Sequence, residues 1–191
     1  GRRARFVTRA NALDYVAGYM VVNDLTIRER VNRKDLKEMG MDWVGSKCAP
    51  TALPTGPYLV PARYVGDPQK LHIRLVHNGK VMQDEGTDDM IFDCAQLIAA
   101  LSTFMVLEPG DLICTGSPSG NGMHHGVLLK PGDVMEGTIT GTLESLGTQR
   151  NACIAEQLTQ SAGIGTRCGA GNWIARRCAR SAATCSVRNA C

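Results

Sequence analysis

Asp24 and Arg28 stand four residues apart, directly after the apolar run Gly18-Tyr19-Met20-Val21-Val22-Asn23. An apolar strand that ends in a carboxylate and then a guanidinium delivers opposite charges to one end of a sheet, which is the layout of half an active site. A carboxylate in that place is costly unless it is paired or bound to a cation. A helix N-cap, or a plain salt bridge to Arg28, accounts for the same spacing. Arg28 can grip a carboxylate or enolate through two parallel hydrogen bonds, although an exposed surface arginine is the commoner fate. Lys47 precedes the rigid stretch from Pro50 to Pro57, which would fix an ammonium in space, with solvent exposure as the alternative. Thr115-Gly116-Ser117 offers backbone N–H groups and two hydroxyls to an anion, though a bare turn uses the same residue types. His124 and His125 follow in a glycine-rich loop, where adjacent histidines are usually solvated. His72 and His77 fall on a hairpin and read as structural.

Something must hold these groups. With 191 residues and 43% hydrophobic content, the chain suits one ordinary domain with a real core. Its 21 glycines and only 5% aromatics favour short strands and tight turns over a helical bundle, so the expected class is β-rich α+β. Asn11 to Tyr15 reads as a short helical turn and Val16 to Asn23 as a strand buried on both faces. Leu25 to Lys47 is charged and irregular, suiting a rim or lid. Leu53-Pro54-Thr55-Gly56-Pro57 turns the chain into a strand at Tyr58 to Val60. Asp67-Pro68 starts a turn, then Leu71 to Val76 alternates, and Asn78-Gly79 supplies the positive-φ pair of a two-residue hairpin into Lys80 to Gln83. Asp93 and Gln96 form a capping box for one amphipathic helix built on Leu97, Ile98, Leu101, Phe104 and Met105, ending near Glu108-Pro109-Gly110. A Pro-Gly-Asp turn occurs twice, at Leu107 to Ile113 and Leu129 to Met135, each expected to launch a strand.

The net charge of +3 is small and concentrated near the two ends, which argues against nucleic-acid binding. No apolar run reaches about 18 residues and no apolar segment follows the basic N-terminus, so neither a membrane span nor a signal peptide is expected, and the expected compartment is by default the cytoplasm. Cys48, Cys94, Cys114 and Cys153 lie singly in apolar surroundings and read as reduced core thiols. Past Gln157 the pattern changes: residues 158–191 carry Cys168, Cys178, Cys185 and Cys191 with no acidic residue and no sustained period. The expectation is a catalytic domain over 1–157 and a disordered or non-native tail over 158–191.

The order of the pieces resembles the fumarylacetoacetate hydrolase family across roughly Arg5 to Glu156. The likeness is carried by Ala12 to Tyr19 leading into Val22-Asn23-Asp24, by Trp43 to Lys47, and by Leu53 to Pro57. Asn78-Gly79, Gln83, Thr87 and Met90 extend it, as does Leu107 to Pro118. The resemblance implies a mixed β-sheet roll with one main amphipathic helix, usually dimeric, that binds Mg2+, Mn2+ or Ca2+. It implies that Asp24 is a metal ligand and that Arg28 and Lys47 are catalytic. It also implies that Thr115, Gly116 and Ser117 bind substrate, Ser117 keeping the hydroxyl of the family's Thr-Gly-Thr loop. The family's Glu-x-Glu metal pair belongs upstream of Asp24 and is not among these residues, so the domain is expected to be incomplete at its N-terminus and weak or inactive alone. The implied chemistry is metal-dependent hydrolysis, isomerisation or decarboxylation of 2-oxo or 1,3-dicarbonyl acids through an enolate, C–C bond hydrolysis first, in a homodimeric full-length parent. The competing reading is an inactive dimerisation or binding module. Relatives run from Gly141 almost directly into a Leu-Gly-x-Gln-x-Asn strand, whereas Thr142 to Ser145 are interposed before Leu146, which lengthens a loop.

Overall fold

The computed structural model describes residues 1–32, 35, 38, 40–141 and 145–155, together with the backbone of Cys185–Asn189. Its centre is a five-stranded antiparallel sheet in the order β4-β3-β5-β6-β7. β3 (His72–His77) and β4 (Lys80–Gly86) form the hairpin, and β5 (Val134–Thr140) and β6 (Thr148–Ala155) continue the ladder. The two-residue turn is built as its residue types demand: Asn78 has φ 50° and Gly79 φ 83°, the left-handed pair that matches strand twist. Asn78 also ties the hairpin to β5, accepting from Val134 N and donating to Asp133. A bulge between Leu75 and Val76 shifts the β3–β4 register. The fold class is the α+β, β-rich one expected, and every ladder among the described residues is antiparallel.

β7 (Cys185–Asn189) pairs with β6, from Asn151 opposite Asn189 to Ala155 opposite Cys185. Within the segment 158–191, expected to be disordered or non-native, these five residues form a strand: β6 offers an open edge, and edge backbone groups pair with a segment that can satisfy them. The rest of the tail, with Cys168, Cys178 and Cys191, and the interposed residues 142–144 lie outside the described residues.

The helix α3 (Cys94–Phe104) starts at the expected capping box: Asp93 accepts from Gln96 N, and Gln96 accepts from Asp93 N. Its buried stripe is Cys94, Ile98 and Ser102, spaced by four residues. Ile98 packs with Ala4, Val7, Ala12 and Leu107, a burial worth roughly 1.5–3 kcal/mol for its side chain. Ser102 Oγ accepts from Val7 N at 2.9 Å, which explains a polar residue in that stripe. Phe104 and Met105, expected on the apolar stripe, are exposed: the stripe that is buried runs through Cys94, Ile98 and Ser102, and the N-terminal segment at Arg5 to Val7 covers the last turn on the Ser102 side. The 3-10 helix Arg9–Tyr15 lies against α3, two residues longer than the expected turn.

The expected strand from Val16 to Asn23 is mostly irregular. β1 (Gly18–Tyr19) pairs with β2 (Val60–Pro61), and Val22 makes a lone bridge to Thr55. Apart from buried Val21 and exposed Ala17, its residues are half-buried rather than covered on both faces, since one side faces a cavity of about 910 Å³. Of the two Pro-Gly-Asp turns only the second launches a strand, β5. The segment after Pro109-Gly110-Asp111 runs without a ladder partner among the described residues. Cys94 and Cys153 are buried as expected, but Cys48 and Cys114 are exposed, each next to a residue of the candidate site.

Candidate functional site

The site wall is an irregular antiparallel pair. Val21 O accepts from Gly56 N, Asn23 N donates to Pro54 O, Leu25 N to Ala52 O, and Ile27 N to Ser46 O. Every second residue from 21 to 27 is tied to the segment 46–56, while the partner positions are spaced unevenly. Proline suits that partner segment, because Pro54 needs only to accept. The irregular pairing therefore does not stop at Asp24 but runs on to Ile27, and the segment it pairs with begins beside Lys47. Lys47 closes the short helix α2 (Trp43–Lys47), whose N-terminus is capped by Asp42 accepting from Gly45 N at 2.7 Å.

Lys47 Nζ lies 2.6 Å from Asp24 Oδ2, with the side chains 29% and 48% exposed respectively. The partner of the Asp24 carboxylate is thus Lys47 and not Arg28, which the spacing of four had suggested. Arg28 opens α1 (Arg28–Val31), and the turn of that helix carries its exposed side chain to the cavity rim, where it makes no ion pair among the described residues. Half-exposed pairs of this kind contribute about 0–1 kcal/mol to stability. The pair fixes two charges at a cavity mouth more than it holds the fold together.

Thr115, Gly116 and Ser117 line the same cavity as Asp24, Arg28 and Lys47. The neighbouring Cys114 thiol, exposed but partly desolvated, feels the pair: desolvation pushes its pKa up, the Asp24 carboxylate adds to that, and Lys47 opposes it. Gly116 has φ 108°, in the left-handed region that favours glycine, so the loop can turn between its two hydroxyl residues. Tyr19 lines the cavity too, its hydroxyl pushed up to about 12, first by burial and then by Cys94 and Asp67, so it stays protonated. His124 is exposed, and His125 uses Nε2 on Met82 O at 3.1 Å; neither reaches the cavity. His77 stands on the hairpin as expected, 3.1 Å from Asp133.

Two glutamines organise the site, though as sequence they were only landmarks. Gln149, 4% exposed on β6, points Nε2 at Val21 O, Pro54 O and Gly56 O, at 3.3, 3.0 and 3.2 Å. It clamps the two segments that carry Asp24 and the proline turn. Its Oε1 accepts from Asn151 Nδ2, and Asn151 Oδ1 is buried without a partner among the described residues. Gln83, 8% exposed on β4, reaches Ser117 and Pro118. The available signal was alternation in β6. Arg150 pairs outward with Glu136 on β5, so Gln149 and Asn151 must face inward.

A hard divalent cation wants about six oxygen ligands, several of them carboxylates. Among the described residues no three His, Cys, Asp or Glu side chains converge, and Asp24 already faces Lys47. The residues present do not by themselves fit Mg2+, Mn2+ or Ca2+.

The fold of this chain is shared with known proteins. Residues 1–155 match the family model described as fumarylacetoacetate (FAA) hydrolase C-terminal, and the chain belongs to that family. It is 46% identical over 153 residues to a 2,4-didehydro-3-deoxy-L-rhamnonate hydrolase of Sphingomonas sp. (strain SKA58), covering 78% of this chain and 50% of that protein. A fumarylacetoacetate hydrolase structure from psychrophilic Exiguobacterium antarcticum superposes with TM-score 0.70 at 32% identity, over 82% of this chain and 53% of that one. A fumarylpyruvate hydrolase from Pseudomonas aeruginosa, in complex with Mn2+ and pyruvate, gives TM-score 0.67 at 32% identity, over 78% and 59%. The chain spans about half the length of the curated relatives it matches.

Proposed function

We propose that the protein carries part of the active site of a hydrolase or isomerase acting on 2-oxo or 1,3-dicarbonyl acids, with hydrolysis of a C–C bond the leading reaction. The single observation that carries this reading is the Asp24–Lys47 pair held at 2.6 Å beside the Thr115–Ser117 loop. Such a reaction develops negative charge on an enolate, and a fixed ammonium with hydroxyl and N–H donors lowers the barrier by stabilising that charge. Lys47 takes the oxyanion or passes it a proton, Arg28 and the Thr115–Ser117 loop bind the substrate carboxylate, and Asp24 orients Lys47. The names of the relatives support the reaction class. The Mn2+ and pyruvate bound by the fumarylpyruvate hydrolase support a divalent cation and a 2-oxo acid. Asp24 would give that cation one carboxylate, the other ligands coming from outside the described residues. The reading includes a cytoplasmic homodimer of the longer protein, and this chain by itself weakly active or inactive.

The test is an assay of acylpyruvates and carboxylated dienols with the longer protein and its Asp24→Asn and Lys47→Met variants. Either substitution is expected to abolish turnover with the fold retained, and wild-type turnover in both would sink the proposal. A second reading, a binding or dimerisation module without catalysis, is favoured by the same ion pair, because a carboxylate neutralised by an ammonium is a self-sufficient structural contact. Under it, both variants lose dimerisation or stability and no substrate in the panel turns over in any form.

A further inference from the structure

Gln83 lies on β4 with its amide buried beneath the loop that carries Ser117. Its Nε2 is 2.8 Å from Pro118 O and 2.8 Å from Ser117 Oγ. A carbonyl oxygen only accepts, so the nitrogen end of the amide must face Pro118, and the same nitrogen then donates to the serine hydroxyl. Once Ser117 Oγ accepts from Gln83, its own hydrogen has to go to another acceptor. Among the described residues that acceptor is Pro118 O at 3.3 Å, long for an O–H···O bond and already served by Gln83. The hydroxyl therefore holds a hydrogen that a better acceptor can take, and it lines the cavity shared with Asp24 and Lys47.

The loop is fixed enough for this polarity to matter. Beside Gln83, Met82 O accepts from His125 Nε2, and a Cβ on Gly120, at φ 90°, would overlap that same carbonyl oxygen. The loop is thus laid on two consecutive residues of β4. A donor whose direction is set before the ligand arrives costs little reorganisation on binding.

We infer that Gln83 is a positioning residue that fixes the polarity of Ser117, so that the serine hydroxyl donates to an oxygen of an anionic ligand. That ligand is the carboxylate of a 2-oxo acid, and to that extent the inference rests on the function proposed above. Gln83 itself does not touch the ligand; it acts through Ser117.

The experiment is a double-mutant cycle read by isothermal titration of pyruvate, with Mn2+ present, into the intact protein, alongside a thermal melt of each variant. Ser117→Ala is expected to weaken binding about tenfold, the scale of one hydrogen bond to a charged group. Gln83→Met should weaken it in the same direction, and Gln83→Glu more strongly, because a carboxylate would take the serine hydrogen for itself. The double variant Ser117→Ala with Gln83→Met should bind no worse than Ser117→Ala alone, since Gln83 has nothing left to act on. A Gln83→Met protein that binds like wild type while Ser117→Ala is impaired overturns the inference and leaves the proposed function standing. Gln83→Met adding its full loss to that of Ser117→Ala also overturns it, showing a general structural role. Wild type that does not bind pyruvate, or Ser117→Ala that binds it like wild type, overturns the anion-binding reading and the inference together.

Discussion

In the central sheet, His72 to His77 meet β5 residue for residue, from Thr140 back to Met135, without a break. Along the site wall, Val21, Asn23, Leu25 and Ile27 meet Gly56, Pro54, Ala52 and Ser46, with gaps of two, two and then six positions. The first region is held by a repeating backbone ladder that accepts many side chains. The second is held by single contacts, each depending on a particular residue such as Gln149 or Asp42. A regular ladder gives stability that is spread out, and an irregular wall gives positions that no ladder could offer, among them Asp24 opposite Lys47. The proposed function lies on the less regular region because regular strands fix where side chains point.

Four substitutions test that contrast, taken in order of expected effect. Gln149→Leu cuts the side chain that hydrogen-bonds β6 to both wall segments, and it leaves buried carbonyls short of a donor. It should cost about 3 kcal/mol and loosen the Asp24 segment, read as a lowered denaturation midpoint and faster amide exchange in residues 21–27. Loss of stability without faster exchange there would mean that the wall holds itself.

Asp133 tests the sheet side. Burial pushes its carboxyl up, but hydrogen bonds from Asn78 and Lys130 N–H, together with His77, outweigh burial and hold it below the ordinary 3.8. A depressed native pKa means that the stabilisation is complete above the ordinary value and disappears as pH falls through the lower native one. Asp133→Ala should cost about 2 kcal/mol at neutral pH, and urea melts below pH 4 should converge with those of wild type. A cost that stays constant down to pH 2 would show that Asp133 acts by packing alone.

Lys47→Met should separate the two regions most cleanly. Stability should change by less than about 1 kcal/mol, because the pair is half-exposed. Pyruvate affinity should fall at least about tenfold, the scale of a lost charge-assisted hydrogen bond. A large drop in melting temperature with affinity intact would reverse the assignment of the pair from site to scaffold. The smallest effect belongs to His124→Ala, within about 0.5 kcal/mol of wild type and neutral for ligand binding, since His124 is exposed and away from the cavity. A clear loss of affinity would bring the glycine-rich loop into the site.

Local features could be read from the chain because their causes are local. Asn78-Gly79 makes its turn whatever surrounds it, and Asp93 with Gln96 caps a helix through contacts three residues apart. The Phe104 and Met105 misplacement arose because a helical period says which face is apolar but not where the packing partner ends. The pairing past Asp24 leaves no period in the sequence, because Ser46 to Gly56 meets it out of step and through single backbone bonds. Arg28 looked like the partner of Asp24 because it is near in sequence, whereas Lys47, twenty-three residues away, is near in space.

The sequence alone determined the class of fold, the hairpin, the capped helix and the kinds of residue that a carbanion chemistry would need, since propensity, turn chemistry and residue type act over a few positions. Only the tertiary structure decided that Asp24 pairs with Lys47, that two buried glutamines hold the wall and the hydroxyl loop, and that a tail segment completes the sheet edge. Those outcomes depend on which distant backbone groups need a partner and which side chain can reach them, and neither is written in any single stretch of chain.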